Sequence, residues 1–265
     1  QDHQSFELGP DGTFSFGRVT VRGLSEEEFR DLLVFQHIVT ATKKVDDPVL
    51  RAKEKVDAGQ LNEAMGMLDS ADMSEVNRVE LLIVQGECLA KLERLTEAET
   101  KYRAALREEP SNDRAQTGLG AILVLQDRHD EALNAFRRAA ELNPESDKAL
   151  CGIGLALWAK GEREPALDAF AAALDANFEN MAALTNIVHI AYELGTFELA
   201  ERYLRKYLEY YPANLDVQFI LAGVLFKMGD YDGARAAIDT ILVFDPEREY
   251  ARELLDKVNA SDRTG

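Results

Sequence analysis

Apolar and polar positions between Asp113 and Pro144 follow a helical period twice over. Leu119 and Leu123 lead the first run, a polar break follows at Asp127-Arg128-His129-Asp130, and Ala132, Phe136, Ala139 and Leu142 carry the second run to its close at Asn143-Pro144. Small residues at Gly120, Ala132 and Ala139 sit among the larger apolar ones. The spacing predicts two amphipathic helices of about fourteen residues, back to back. Neither can bury its stripe alone, so the unit requires a neighbour of its own kind.

Moving the pattern along the chain in steps of 34 residues finds those neighbours without insertion or deletion. Gly86, Gly120 and Gly154 fall in register, as do Ala64, Ala98, Ala132, Ala166, Ala200 and Ala234. The large residue four places later is Leu68, Tyr102, Phe136, Phe170, Leu204 or Ile238. Closing prolines stand at Pro110, Pro144, Pro212 and Pro246, with Phe178 in the intervening slot. The small residues let helices approach, the large ones fill the space beside them, and proline ends the second helix by withholding an amide.

In these residues the chain resembles the tetratricopeptide repeat family, over six repeats from Val45 to Arg248. The resemblance implies an all-α fold, a right-handed α-solenoid of six helix-turn-helix repeats that counts as one elongated domain. Repeats begin at Val45, Val79, Asp113, Asp147, Met181 and Leu215. The first is the most degraded, with Ala52 in the glycine slot and no closing proline, as suits a terminal repeat. Three parts are expected: an N-terminal segment over 1–44, the repeats over 45–248, and a capping helix with a tail over 249–265.

The N-terminal segment has a different period. Phe6 and Leu8, a turn signal at Gly9-Pro10-Asp11-Gly12, and Phe14, Phe16, Val19 and Val21 predict a small β-hairpin, extendable past Gly17. A hairpin is marginal alone, so its apolar face is expected on the chain's own first helices or against another copy, with a disordered segment as the third alternative. Ser25 with Glu28 forms a capping box, and Phe29, Leu32, Leu33 and Val39 give one helical side ending near Lys43-Lys44. That helix is expected to cover the open face of the first repeat. After Pro246, Ala251, Leu254, Leu255 and Val258 predict a solvating last helix over about Glu249 to Val258, with Ala260 to Gly265 as a frayed tail.

Charge narrows the partners. The 265 residues hold 30 basic and 48 acidic side chains, a net −18, which argues against nucleic acid and anionic membranes because both are bound through basic side chains. A protein or peptide remains, a basic one among the candidates, and a homo-oligomer stays open. Cys88 and Cys151 are too far apart in sequence for a staple or a metal motif. His3, His37, His129 and His189 make no ligand pair, and no phosphate loop, nucleophile elbow or metalloprotease motif occurs. No cofactor, metal site or enzyme activity is expected. With no membrane span or signal peptide the expected compartment is cytoplasmic, a removed leader staying open because the chain starts at Gln1.

The resemblance further implies that the first helix of each repeat lines a concave groove. Carried over position by position, this selects Arg114, Thr117, Ala121 and Val124, then Lys148, Cys151, Leu155 and Trp158. Repeats five and six add Thr185, Asn186, His189 and Tyr192, with Asp216, Phe219 and Phe226. The Lys/Asn/Arg clamp with which some members hold a C-terminal carboxylate is not reproduced, since Gly118 and Gly152 occupy two of its positions. Trp158, Tyr192 and Phe226 instead make an aromatic row at two 34-residue steps. The expected role is a non-catalytic adaptor or assembly factor binding a peptide or helix of a partner. A self-assembling scaffold using the hairpin and a regulatory subunit of an enzyme are the alternatives.

Overall fold

The computed structural model describes residues 14–16, 19–21, 48–71 and 77–262. Among the described residues two short strands, β1 (Phe14–Phe16) and β2 (Val19–Val21), pair antiparallel. The turn expected at Gly9 to Gly12 and the helix expected over Ser25 to Lys44 lie outside the described residues.

Thirteen helices are described. The first helices of the repeats are α1 (Pro48–Asp57), α3 (Arg78–Lys91), α5 (Asp113–Leu125), α7 (Asp147–Ala159), α9 (Met181–Leu194) and α11 (Leu215–Met228). Their partners are α2 (Leu61–Ser70), α4 (Leu95–Glu108), α6 (His129–Leu142), α8 (Arg163–Ala176), α10 (Glu198–Tyr210) and α12 (Tyr231–Phe244). A last helix, α13 (Glu249–Asp262), follows. It runs past Val258 through Ala260, where a frayed tail was expected, and Asp262 there accepts a 2.9 Å bond from Arg235 on α12. That charge-assisted contact fixes a turn which the apolar pattern, ending at Val258, does not announce.

Recurring caps set where the first helices begin. The side chains of Asn77, Asn112, Ser146, Asn180 and Asn214 each accept from backbone amides at the start of the following helix. They satisfy donors that would otherwise be orphaned. The turn between the two helices of a repeat uses a left-handed residue at one fixed slot. Gly59, Gly161, Gly195 and Gly229 fill it with φ of 75°, 84°, 72° and 79°, but Glu93 and Asp127 fill it with φ of 60°. Side chains with a Cβ are strained there.

The repeating alanines Ala64, Ala98, Ala132, Ala166, Ala200 and Ala234 are all fully buried. Tyr102 and Phe136 each sit between two glycines, one from their own repeat and one from the next: Gly86 and Gly118 close on Tyr102, Gly120 and Gly152 on Phe136. Phe170 keeps only Gly154, because the next repeat supplies Asn186 in the second slot. Val188 stands where the glycine would be in the fifth repeat, and the large slot there is Leu204 rather than an aromatic ring. Volume is traded within the layer so that density is kept. The α9 and α10 pair packs less closely than the others.

The direction of curvature follows from which helices meet across repeats. First helices touch the next first helix at α1/α3, α3/α5, α5/α7, α7/α9 and α11/α13, whereas no second helix makes a comparable contact with the next second helix. First helices therefore line the inner side of the stack. One continuous core runs from Leu82 to Val258, and the first repeat has its own smaller core around Val49, Val56, Leu68 and Cys88.

Candidate functional site

On the inner side the first helices of the third and fourth repeats leave a cleft of about 630 Å³. Thr117, Ala121, Val124 and Leu125 of α5 form one wall, and Lys148, Cys151, Gly152 and Leu155 of α7 the other. Asn177, Glu179, Asn180 and Ala182 close it at the start of α9. The space exists because the facing residues are small: Ala121 and Gly152 present a methyl group and a hydrogen where the fifth repeat carries His189 and Asn186. Phe136 forms the floor, seen through Gly152. Few polar groups converge on the cleft and its walls are chiefly apolar, the usual make-up of a recognition site.

Its carboxylates have donors already. Asp147 accepts from Asn177 at 3.1 Å and from Asn180 at 2.9 Å, and Glu179 accepts from the Tyr211 hydroxyl. Lys148 is exposed, and among the described residues no hydrogen bond or ion pair engages its ammonium. Burial pushes the Cys151 thiol up to about 12, so it stays a protonated wall residue.

Beyond the cleft lies the aromatic row. Trp158 is half-buried at the end of α7 and meets the His189 ring edge-to-face at 5.1 Å. Its indole Nε1 is buried on the side of the Glu193 carboxylate, which it helps to stabilise. His189 is exposed and stands 3.3 Å from Glu193, whose other oxygen accepts from Arg163 at 2.8 Å. Although desolvation opposes it, the Arg163 guanidinium holds the Glu193 carboxyl below the usual carboxylate range. Arg163 also bonds the Trp158 carbonyl at 3.0 Å, so the row and the rim are joined. Tyr192 is 44% exposed, packs edge-to-face on Phe197 at 5.1 Å, and lays its hydroxyl over Gly223 of the sixth repeat. Phe226 faces Tyr231 at 6.0 Å, and Phe219 meets Tyr250 of α13 at 4.4 Å. Each aromatic thus leans on the following repeat or turn while keeping part of its surface open.

The fifteen residues selected from the sequence do not form one pocket. Thr117, Ala121, Val124, Lys148, Cys151 and Leu155 line the cleft; Trp158, His189, Tyr192 and Phe226 continue along the inner side. Thr185 is exposed, while Asn186 gives its amide to Ala182 O on its own helix at 2.8 Å. Arg114 is held by Glu80 at 2.6 Å and Glu87 at 3.4 Å, which ties the second and third repeats together and leaves less of its fork for a ligand. Sequence reasoning missed Leu125, Asn177, Glu179 and Asn180 of the cleft. The asparagines had a signal, since Asn112, Asn180 and Asn214 recur at one repeat position and Asn143 and Asn177 at another. Leu125, 61% exposed, had none beyond its place in the groove stripe.

Among the described residues no group of three or more His, Cys, Asp or Glu is placed to hold a metal ion, and no helix is long and apolar enough to cross a membrane.

Comparison with known proteins bears on the fold. A family model described as tetratricopeptide repeat matches residues 50–113, 83–147, 118–182 and 151–214, and a second model of the same description matches 191–258. The solved structure of the Pseudomonas aeruginosa pilF product is similar with a TM-score of 0.60 at 17% identity, covering 81% of this chain and 96% of that one. A tetratricopeptide repeat protein from Parabacteroides merdae gives 0.51 at 21% identity, covering 80% and 91%. YrrB, described as a tetratricopeptide repeat protein with an unusual peptide-binding site, gives 0.50 at 19% identity, covering 65% and 89%. No curated protein matches the sequence significantly.

Proposed function

The chain belongs to the tetratricopeptide repeat family, and on that premise we propose that it is a non-catalytic adaptor or assembly factor that holds a peptide or helix of a partner protein on its inner side. Proteins of this family generally mediate protein–protein interaction, and the finer reading rests on one observation. From Arg114 to Phe226 the inner side is an apolar strip with a 630 Å³ cleft, inside a molecule of net charge −18. The acids along it all have partners: Asp147 in Asn177 and Asn180, Glu179 in Tyr211, Glu193 in Arg163 and Asp216 in Arg248. An apolar strip left open on so charged a surface is the pattern of an interaction site. A bulky apolar side chain of the partner fills the cleft, and further apolar contacts fall on Trp158, Tyr192 and Phe226. Basic flanking residues of the partner suit the acidic surround. The carboxylates of the groove are held in structural pairs, and that supports binding over chemistry.

A second reading, a self-assembling scaffold, draws on a different face. Tyr210, Val243 and Phe244 are 63%, 77% and 62% exposed at the ends of α10 and α12. Val243 occupies a slot that holds Arg107, Glu141, Asp175 and Glu209 in earlier repeats.

The adaptor reading is tested with a peptide selected from a random display library. Replacing Tyr192 and Phe226 with Ala should weaken its binding at least about 30-fold, the scale of aromatic anchors, with helix content unchanged. Undiminished binding moves the interface off the inner side. If instead a double Val243→Asp, Phe244→Asp variant turns an oligomer into a monomer, the scaffold reading takes its place.

A further inference from the structure

We propose that the outer side of the stack carries a second binding site, a groove between α10 and α12 that takes a tyrosine side chain of a partner protein. It is built on the second helices, away from the inner strip, and does not depend on that strip being occupied.

The repeat itself supplies the template. Tyr203 of α10 leans back on α8, where its hydroxyl donates to the Asp175 carboxylate at 2.9 Å with the Ala171 carbonyl at 3.1 Å. The Arg202 guanidinium lies over the ring at 4.8 Å and the Lys206 ammonium at 6.0 Å. Thus covered, Tyr203 is only 3% exposed and closes the space between two successive second helices.

One repeat later the same space is open. At a step of 34 residues Arg202, Tyr203 and Lys206, which fill and cover it, give way to Ala236, Ala237 and Thr240, and Leu199 gives way to Gly233. All four replacements are small, and all four line a groove of about 410 Å³ with Leu208, Leu221 and Leu225 among its other walls. The receiving side persists. Arg205 stands at the step of Ala171, and Glu209, a carboxylate one methylene longer, at the step of Asp175; both line the groove.

Charge complementarity decides the occupant. Among the described residues no hydrogen bond or ion pair engages the exposed Glu209 carboxylate, and none joins α10 to α12. The other polar groups are already committed: Arg205 to Glu201 at 2.8 Å, the Thr240 hydroxyl to the Ala236 carbonyl at 3.0 Å, and the Gln218 amide to the Pro212 carbonyl at 3.3 Å. Apolar walls leading to one free carboxylate suit a ring with a donor at its far end, and Tyr203 shows that a phenol has the right reach. The corresponding opening beside Ala135 lacks this feature, because Arg103 and Glu131 in its walls face each other at 3.8 Å. On a chain of net −18 a tyrosine flanked by basic residues is favoured.

The full chain, labelled with nitrogen-15, is titrated with N-acetyl-tyrosinamide to about millimolar concentration, the range a ligand of this size reaches. Amide shifts should centre on Glu209, Gly233, Ala236 and Ala237, and N-acetyl-phenylalaninamide should bind at least about fivefold more weakly, for want of the charge-assisted bond. Glu209→Ala should erase that preference. Ala237→Tyr, which restores the side chain of the fifth repeat, should abolish the shifts while the melting temperature holds or rises. Ala236→Arg rebuilds the cover from an exposed position and should also weaken binding at least about fivefold, so the site is tested even if the tyrosine variant fails to fold. No shifts, or shifts indifferent to Ala236→Arg, overturn the proposal. Equal binding of the two amides overturns the choice of tyrosine. Shifts confined to Trp158, Tyr192 and Phe226 place the phenol on the inner strip and overturn the outer site while leaving the adaptor reading intact. A tripeptide with lysine on each side of tyrosine should bind more tightly than p-cresol; the reverse order makes the groove a site for a free phenol and overturns the protein partner. A mass that doubles with concentration and is halved by Ala236→Arg assigns the groove to a second copy and overturns it as well.

Discussion

Adding one methyl group at Gly152 should unsettle two repeats at once. An ideal Cβ there stands 2.6 Å from Phe136 Cζ and nearer still to Cε1 and Cδ1. The ring has no room to retreat, because Gly120 closes on its other side, where a Cβ would come within 2.8 Å of Cδ1. Phe136 is 2% exposed and sits in the continuous core, so relief requires α6 and α7 to move apart. Overpacking of this kind costs about 1–3 kcal/mol, and confinement from both sides argues for the upper end, about 3 kcal/mol. For an array of this size that is a fall in melting temperature of roughly 6–12 °C. The other repeats contain the remedy: Leu68 lies beside Ala52 and Val84, and Leu204 beside Val188 and Ile220. Gly152→Ala with Phe136→Leu should therefore be more stable than the sum of the single changes by about 1 kcal/mol or more, a coupling measured by a double-mutant cycle in urea. Gly66→Ala is the control, since no neighbouring atom lies within 4 Å of its Cβ and the helix should gain about 0.5–1 kcal/mol. Additive single costs, or a harmless Gly152→Ala, would refute the sandwich account of the repeat.

Glu93→Gly and Asp127→Gly should each raise the free energy of unfolding in urea by about 0.5–1 kcal/mol, because both residues hold left-handed φ where other repeats use glycine; no gain would mean that their side chains repay the strain. The Arg103 and Arg128 guanidiniums hold the Glu99 carboxyl below the usual carboxylate range, against the opposing effect of its desolvation. A depressed folded pKa adds stability that is complete above the unfolded value and is lost as pH falls through the folded one, so unfolding titrations below about pH 4.3 should show the loss, and Glu99→Gln should lack that component. Cys151, with its thiol pushed up to about 12 by burial, should be inert to a disulfide reagent at pH 8 and react only at the rate at which the repeat opens; prompt labelling of the native chain would contradict the packing.

What the sequence disclosed was whatever repeats. The alanine slots, the large residue four places on and the closing prolines recur at 34 residues, and each proved to be a buried or helix-ending position. The partnering of glycines with rings was half visible: Gly86, Gly120 and Gly154 were in register, but the role of Gly118 and Gly152 depends on contact with the previous repeat, which a pattern within one repeat does not contain. For the groove, the family resemblance pointed to Thr117, Ala121, Val124, Lys148, Cys151 and Leu155, which lie together along one cleft. The resemblance could not find the cleft itself, whose volume comes from residues that are small relative to their neighbours and from Asn177 and Asn180 in the loop before α9. Nor could it show that Arg114 is engaged, since Glu80 and Glu87 reach it from another repeat. The left-handed slot was hidden where Glu93 and Asp127 replace the telltale glycine.

The central claim is that the inner side of the first helices receives the partner. Hydrogen–deuterium exchange of the chain with and without the display-selected peptide tests it most directly. Protection should concentrate on α5, α7 and α9 and the loop around Asn177 to Asn180, with α6, α8 and α10 changed little. Protection centred on the second helices, or on the exposed ends of α10 and α12 near Tyr210 and Phe244, would contradict it.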